Sequence, residues 1–151
     1  EIYRLAVFGN HSPTMFPDLE NTVVDGKNAY KSINNHEWVE NEFLPRVQQR
    51  GAEIIQARGA SSASSAARAA CETVKAVEHP TRSGDVFNAA VMSDGAYGMP
   101  EGIFSGFPLI SDGSGSIEIV RDYSLSDFAK AGLKKTADEL VAERNLVKDL
   151  I

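Results

Sequence analysis

The closing stretch of the chain constrains the fold more than any other. Ser124-Leu125-Ser126-Asp127 has the form of a capping box, in which a hydroxyl and an acidic side chain satisfy the first free N–H groups of a helix. After it, Phe128, Leu133, Ala137, Leu140, Val141, Val147 and Ile151 recur on one side of a 3.6-residue repeat. The pattern predicts a helix of roughly 35 to 40 Å at 1.5 Å per residue. Its apolar stripe has to be buried against other elements of the chain. Gly132 weakens the helix by about 1 kcal/mol relative to alanine unless close packing forbids a side chain there.

The elements available to cover that stripe are mostly short strands. Residues 2–8 mix alternation with a short apolar run, which suits one largely buried strand ended by Gly9. Residues 12–17, punctuated by Pro13 and Pro17, read as a loop, and Thr22-Val23-Val24 as a weak strand followed by an Asp25-Gly26 turn. A long helix is expected from Asn41, with Asn41 as its cap, Pro45 in its first turn, and Phe43, Val47, Ile54 and Ile55 at helical spacing. The Ala/Ser-rich residues 60–76 form a second helix, since alanine is the strongest helix former. Strands follow at 85–92, 103–110 and 116–121, separated by the glycine-rich turn region 93–102 and a hairpin tip at Gly113-Ser114-Gly115. Strands grouped with helices, without a strand–helix–strand rhythm, indicate a single α+β domain over residues 1–151, with antiparallel strands packed on long helices.

A chain of 151 residues is long enough for one core. Its formal net charge of −6, from 21 acidic and 15 basic side chains, argues against a nucleic-acid groove and against attraction to anionic lipid. No apolar run approaches the roughly 20 residues that span a bilayer, and no basic leader precedes one, so the expectation is no membrane and no export. The single cysteine, Cys71, cannot form an internal disulfide, and reads as a small buried residue on the second helix. Glu1 stands at the threshold of a strand pattern, as in a piece of something longer.

Chemistry points to Asn10-His11-Ser12, where the first strand gives way to a loop. Imidazole is the side chain whose ordinary pKa lets it exchange a proton near neutral pH. His36, beside Asn34, Asn35 and Glu37, reads as a solvated loop residue, and His79 before Pro80 as a loop residue after a helix. The cluster Ser61-Ser62-Ala63-Ser64-Ser65 at a helix start is either a cap with small packing residues or a set of hydroxyls and N–H groups facing a polar ligand. Gly113-Ser114-Gly115 precedes a strand and lacks a third glycine and a following helix, so it is not a dinucleotide-binding loop. Without a P-loop, a Cys-x-x-Cys or a His-x-x-x-His pair, neither a phosphate cradle nor a metal site is expected. Asp94 is a turn residue, and no carboxylate partner for His11 is identifiable.

Three motifs in order carry a resemblance: residues 8–15 (FGNHSPTM), Arg50-Gly51-Ala52 with residues 57–63 (ARGASSA), and residues 93–102 (SDGAYGMPEG). Together they resemble the C-terminal half of the NAD-dependent malate dehydrogenases of the lactate/malate dehydrogenase family, most closely the cytosolic type. Lactate dehydrogenases share the fold but carry a different sequence at the histidine. The resemblance implies that His11 is the proton donor and acceptor in the interconversion of malate and oxaloacetate. It places Asn10, Arg58, Ser61 and Ser62 near substrate and cofactor. It further implies NAD bound mainly by an N-terminal dinucleotide-binding domain absent from this chain, a homodimeric full-length enzyme, and a cytoplasmic location. The aspartate that orients the histidine and the arginine that clamps the substrate would also precede residue 1, so residues 1–151 alone are expected to be inactive. Two other readings are a non-catalytic oligomerisation or binding module and another 2-hydroxy-acid dehydrogenase such as lactate dehydrogenase. A His11 ring opening onto a cleft beside Ser61 favours the enzyme; one sealed against apolar side chains favours the module.

Overall fold

In the computed structural model, which describes residues 1–150, the run 2–8 is two strands rather than one: β1 (Ile2–Tyr3) and β2 (Ala6–Phe8). Arg4 separates them in the left-handed region at φ 54°, a conformation costly for a residue with a Cβ. Long-range contacts hold it there. Its N–H donates to Asp85 at 2.8 Å, its guanidinium pairs with Asp122 at 2.7 Å, and the same group lies over the Tyr123 ring at 4.6 Å. An arginine in an alternating pattern reads as an outward strand residue, so the break left no local signal. It also divides the burial: Ala6 and Phe8 are fully buried, whereas Ile2 and Leu5 are exposed.

The proline-rich run contains a further strand, β3 (Phe16–Asp18), antiparallel to β2 with Phe8 opposite Phe16 and Ala6 opposite Asp18. Pro17 is tolerated because both strands of a two-stranded sheet are edges, where a missing N–H costs no ladder bond. Next come β4 (Val23–Val24) and β5 (Lys27–Asn28), joined by Asp25 and Gly26 at φ 48° and 77°. Two positive φ values in succession are what a tight hairpin turn requires. β1, β4 and β5 form one sheet in that order.

Asn28 caps the short helix α1 (Ala29–Ile33), and Asn35 caps α2 (His36–Trp38) by accepting the Trp38 N–H at 3.0 Å. The chain stays helical through a wide turn, Val39–Phe43, into α3 (Leu44–Arg58). The long helix therefore begins at His36 with Asn35 as its cap, and Asn41 is not its cap but lies inside the wide turn. Pro45 is the physical reason for that turn. It has no N–H for the carbonyl four residues back and its ring crowds it, so the ladder widens, with the Leu44 N–H reaching Val39. His36 is likewise not a loop residue: it opens α2, with Nδ1 2.8 Å from the Tyr30 hydroxyl and its ring edge-on to Phe128.

Gly59, at φ 70°, ends α3 in a left-handed cap, and α4 (Ala63–Glu78) follows. None of the residues of α4 is buried, and Cys71 is exposed, contrary to the sequence expectation. Alanine-rich sequence predicted the helix correctly but said nothing about whether anything in the chain covers it. α4 is tied to the remainder by its last turn, where the Ser111 hydroxyl donates to the Val77 carbonyl at 2.6 Å.

The main sheet is β6 (Phe87–Met92), β7 (Phe104–Ser111) and β8 (Ile117–Ile119), antiparallel and in that order, with Gly113 and Gly115 at the expected hairpin tip. The last helix, α5 (Asp127–Val147), runs about 32 Å at 1.5 Å per residue. Its cap is Ser126 and not Ser124. The Ser126 hydroxyl accepts the Ala129 N–H at 3.2 Å and is braced by Glu20, while the Ser124 N–H goes to Asn21. Ala129, Leu133, Thr136 and Ala137 are buried and the C-terminal turns are exposed; Ile151, placed on the stripe above, lies outside the described residues. A Cβ on Gly132 would run into the Phe16 ring, which explains a glycine in mid-helix. The core gathers Phe8, Phe107, Leu109, Met99 and Leu133, with Phe8 edge-on to Tyr97 and Tyr123.

Candidate active site

Two glycines make the site possible. Gly9, at φ 93°, and Gly106 of β7 form a mutual bridge, with N–H to carbonyl distances of 3.2 and 2.9 Å. A Cβ on Gly9 would collide with Thr136 of α5, and one on Gly106 would stand 3.0 Å from the Val7 carbonyl. With side chains absent, β2 closes onto β7 and α5 at once, and the chain leaves the sheet at His11. The ring of His11 is exposed and borders a cleft of about 350 Å³. Small residues, Gly9, Ala89, Ala90 and Gly106, form much of its wall, with Met15 and Asn88 beside them. The Asn88 amide is already engaged with Val7 and Phe107. His36 and His79 have ring hydrogen bonds, whereas His11 has none among the described residues. Its nitrogens are free for a ligand.

Around His11 the loop is fastened to α5. The Asn10 N–H donates to Thr136 Oγ1 at 2.8 Å, and Asn10 Nδ2 to Glu139 at 3.1 Å and Glu143 at 2.9 Å. The hydroxyls of Ser12 and Thr14 both donate to Glu139 Oε2. These two bonds, Ser12 first, hold the Glu139 carboxyl below its ordinary value, against the opposing effect of desolvation. Sequence reading missed Thr136 and Glu139. A signal for the first existed, since Thr136 is a polar residue set into the apolar stripe between Leu133 and Ala137.

The structure brings Asn10 and His11 together at this cleft and leaves the other sequence candidates outside its lining. Arg58 is exposed in the last turn of α3 and has no ion-pair partner among the described residues. Ser61 is exposed, and its carbonyl accepts the Ala63 N–H. Ser62 sits at the N-cap position of α4 but makes no capping bond; its hydroxyl lies 2.5 Å from that of Ser65. A larger hollow, about 620 Å³, borders Glu20, Tyr30 and His36, but the imidazole there is already bonded to Tyr30. Among the described residues no group of three or more His, Cys, Asp or Glu is arranged to hold a metal ion, and no helix is long and apolar enough to cross a membrane.

Comparison with known proteins agrees with this architecture. The sequence pattern of the lactate/malate dehydrogenase α/β C-terminal domain matches residues 1–151. The chain is 45% identical over 151 residues to a malate dehydrogenase of Magnetococcus marinus, covering all of this chain and 46% of that protein. The crystal structure of malate dehydrogenase from Naegleria fowleri superposes with a TM-score of 0.91 at 37% identity, over 99% of this chain and 45% of that one. A lactate dehydrogenase of Trichomonas vaginalis, solved with NADH and oxamate, superposes with a TM-score of 0.88 at 27% identity, over 98% of this chain and 46% of that one. The chain thus spans about half the length of the relatives it matches. The match over the whole domain places this chain in the lactate/malate dehydrogenase family, as its C-terminal domain.

Proposed function

We propose that the whole protein interconverts malate and oxaloacetate with NAD, and that His11 carries the proton. The observation that supports this best is the exposed, unpartnered His11 ring on a cleft walled by small residues, where a compact dicarboxylate has room to approach it. Protonated, His11 donates to the carbonyl oxygen of oxaloacetate; neutral, it takes the hydroxyl proton of malate. The nicotinamide cofactor, when bound, would supply the hydride as NADH or take it up as NAD+. Gly113 and Gly115 form a hairpin tip, and the glycines of 93–102 lie between the antiparallel strands β6 and β7, so neither has the strand-to-α-helix setting that cradles a pyrophosphate. In this reading the cofactor is held mainly by an N-terminal half. Asn10 lies closest to the proton-transfer site, and Arg58, Ser61 and Ser62 form a wall brought to the substrate only in the whole enzyme.

Malate is favoured over lactate by two malate dehydrogenases, at 45% and 37% identity, above the 27% of the lactate dehydrogenase, and by the FGNHSPTM motif at the histidine. The His11 ring opens onto a cleft instead of being sealed against apolar side chains, which speaks for the enzyme over a purely structural module, although that cleft is not lined by Ser61. The homodimer proposed for the whole protein draws on α4, which carries no buried residue and has a face free for a partner. The cytoplasmic location rests on the likeness of the three motifs to the cytosolic type.

The test is NADH oxidation by the complete polypeptide, with oxaloacetate and with pyruvate as substrates. We expect kcat/KM for oxaloacetate to be higher by roughly 100-fold or more, and residues 1–151 alone to show no turnover. A preference for pyruvate would overturn the malate assignment, and substantial turnover by residues 1–151 would overturn the need for a second half.

A further inference from the structure

We propose that Glu139 is a positioning residue for the proton-transfer site: its carboxylate holds the chain on both sides of His11 and so fixes where the imidazole meets a carbonyl oxygen. The proposal rests on the reading of His11 given above. A single oxygen, Glu139 Oε2, receives Asn10 Nδ2, the Ser12 hydroxyl and the Thr14 hydroxyl, so the immediate neighbours of His11 share one acceptor. Thr136, nearly one turn earlier on α5, receives the Asn10 N–H, and its hydroxyl lies 2.9 Å from that of Thr14. Asn10 N–H gives to Thr136 and Ser12 to the carboxylate, while the single Thr14 hydroxyl proton faces both Thr136 Oγ1 and Glu139 Oε2, of which the anion is the stronger acceptor. Ser12 Oγ also takes the Thr14 N–H at 3.0 Å, closing the loop on itself.

Two further facts separate a positioning role from general adhesion. The His11 ring has no hydrogen-bond partner of its own among the described residues, so its placement depends on where residues 10 and 12 are held. And α5, which carries Glu139, is fixed independently by its Ser126 cap and by the buried Ala129, Leu133 and Ala137. The loop is thus referenced to a rigid element. A shift of about 1 Å in a reacting group costs on the order of 100-fold in rate, which is the scale at stake when the loop is released.

The experiment compares Glu139→Ala, Glu139→Gln and His11→Asn in the complete enzyme, measuring kcat, KM for oxaloacetate, and amide exchange. Glu139→Ala should lower kcat by about 10- to 100-fold with KM changed by less than about threefold, and speed exchange at residues 10–14 while the β6 and β7 amides keep their protection. Glu139→Gln keeps a carbonyl oxygen for the same hydroxyls and should restore kcat to within about fivefold of the parent. If Glu139→Ala does not fold, Ser12→Ala with Thr14→Val removes the donors from the loop side and should reproduce its kinetics. An unchanged kcat in Glu139→Ala, or in that double variant, overturns the proposal. So does an equal loss in Glu139→Ala and Glu139→Gln. Should His11→Asn retain activity, it is the assignment of His11 that fails, whatever Glu139 does.

Discussion

Residues 9–14 and residues 45–92 both carry parts of the proposed site, and the fold treats them in opposite ways. The first segment is short and irregular, yet it is bridged to β7, blocked by Thr136 and bonded through three residues, Asn10, Ser12 and Thr14, to α5. The second contains the two longest helices before α5, yet no residue from 45 to 92 is buried. Regular secondary structure is therefore a poor guide to how firmly a side chain is held here. The loop of His11 is held by this chain itself, whereas Arg58, Ser61 and Ser62 are not buried by it. Segments with few buried contacts open at low free energy, so the wall formed by α3 and α4 should be the more mobile half of the site.

Substitutions can break this contrast. Phe8→Ala, beneath the His11 loop in the fully buried core, should cost about 3–5 kcal/mol in chemical denaturation, while Val74→Ala on α4 should stay within about 0.5 kcal/mol. A comparable loss at Val74 would mean that α4 is covered, by this chain or by a partner. The glycines give a sharper version of the same comparison. Gly132→Ala forces a methyl into the Phe16 ring and should destabilise by about 1–3 kcal/mol despite alanine's better helix propensity. Gly51→Ala in α3, where a Cβ meets nothing within 4 Å, should stabilise by about 0.5–1 kcal/mol. The same chemical change then has opposite signs in the two regions, and equal signs would remove the distinction.

What the sequence made legible follows this division. Helices α4 and α5, the main sheet and the Asp25-Gly26 turn were readable because alanine content, apolar period and glycine placement act locally. The break at Arg4 and the true start of the long helix were not, since a distant Asp85 holds the first and Pro45 sets the second through a widened turn. The same holds at the site. His11 is visible from its residue type and the strand before it, but Glu139 lies more than a hundred residues away and looks like any acidic residue on an exposed helix face. Only the fold shows that it faces Ser12 and Thr14. Exposure of Cys71 escaped prediction for a related reason: an alanine-rich helix is compatible with burial, and burial depends on a neighbour the pattern does not specify.

The most direct measurement is the turnover of oxaloacetate and NADH by the complete enzyme carrying His11→Asn, with thermal unfolding recorded on the same preparation. Asparagine keeps a polar side chain at the cleft but cannot exchange a proton near neutral pH, so kcat should fall by about 10³-fold or more while the unfolding midpoint is unchanged. A folded variant that retains kcat within about threefold of the parent would contradict the assignment of His11 as the proton carrier.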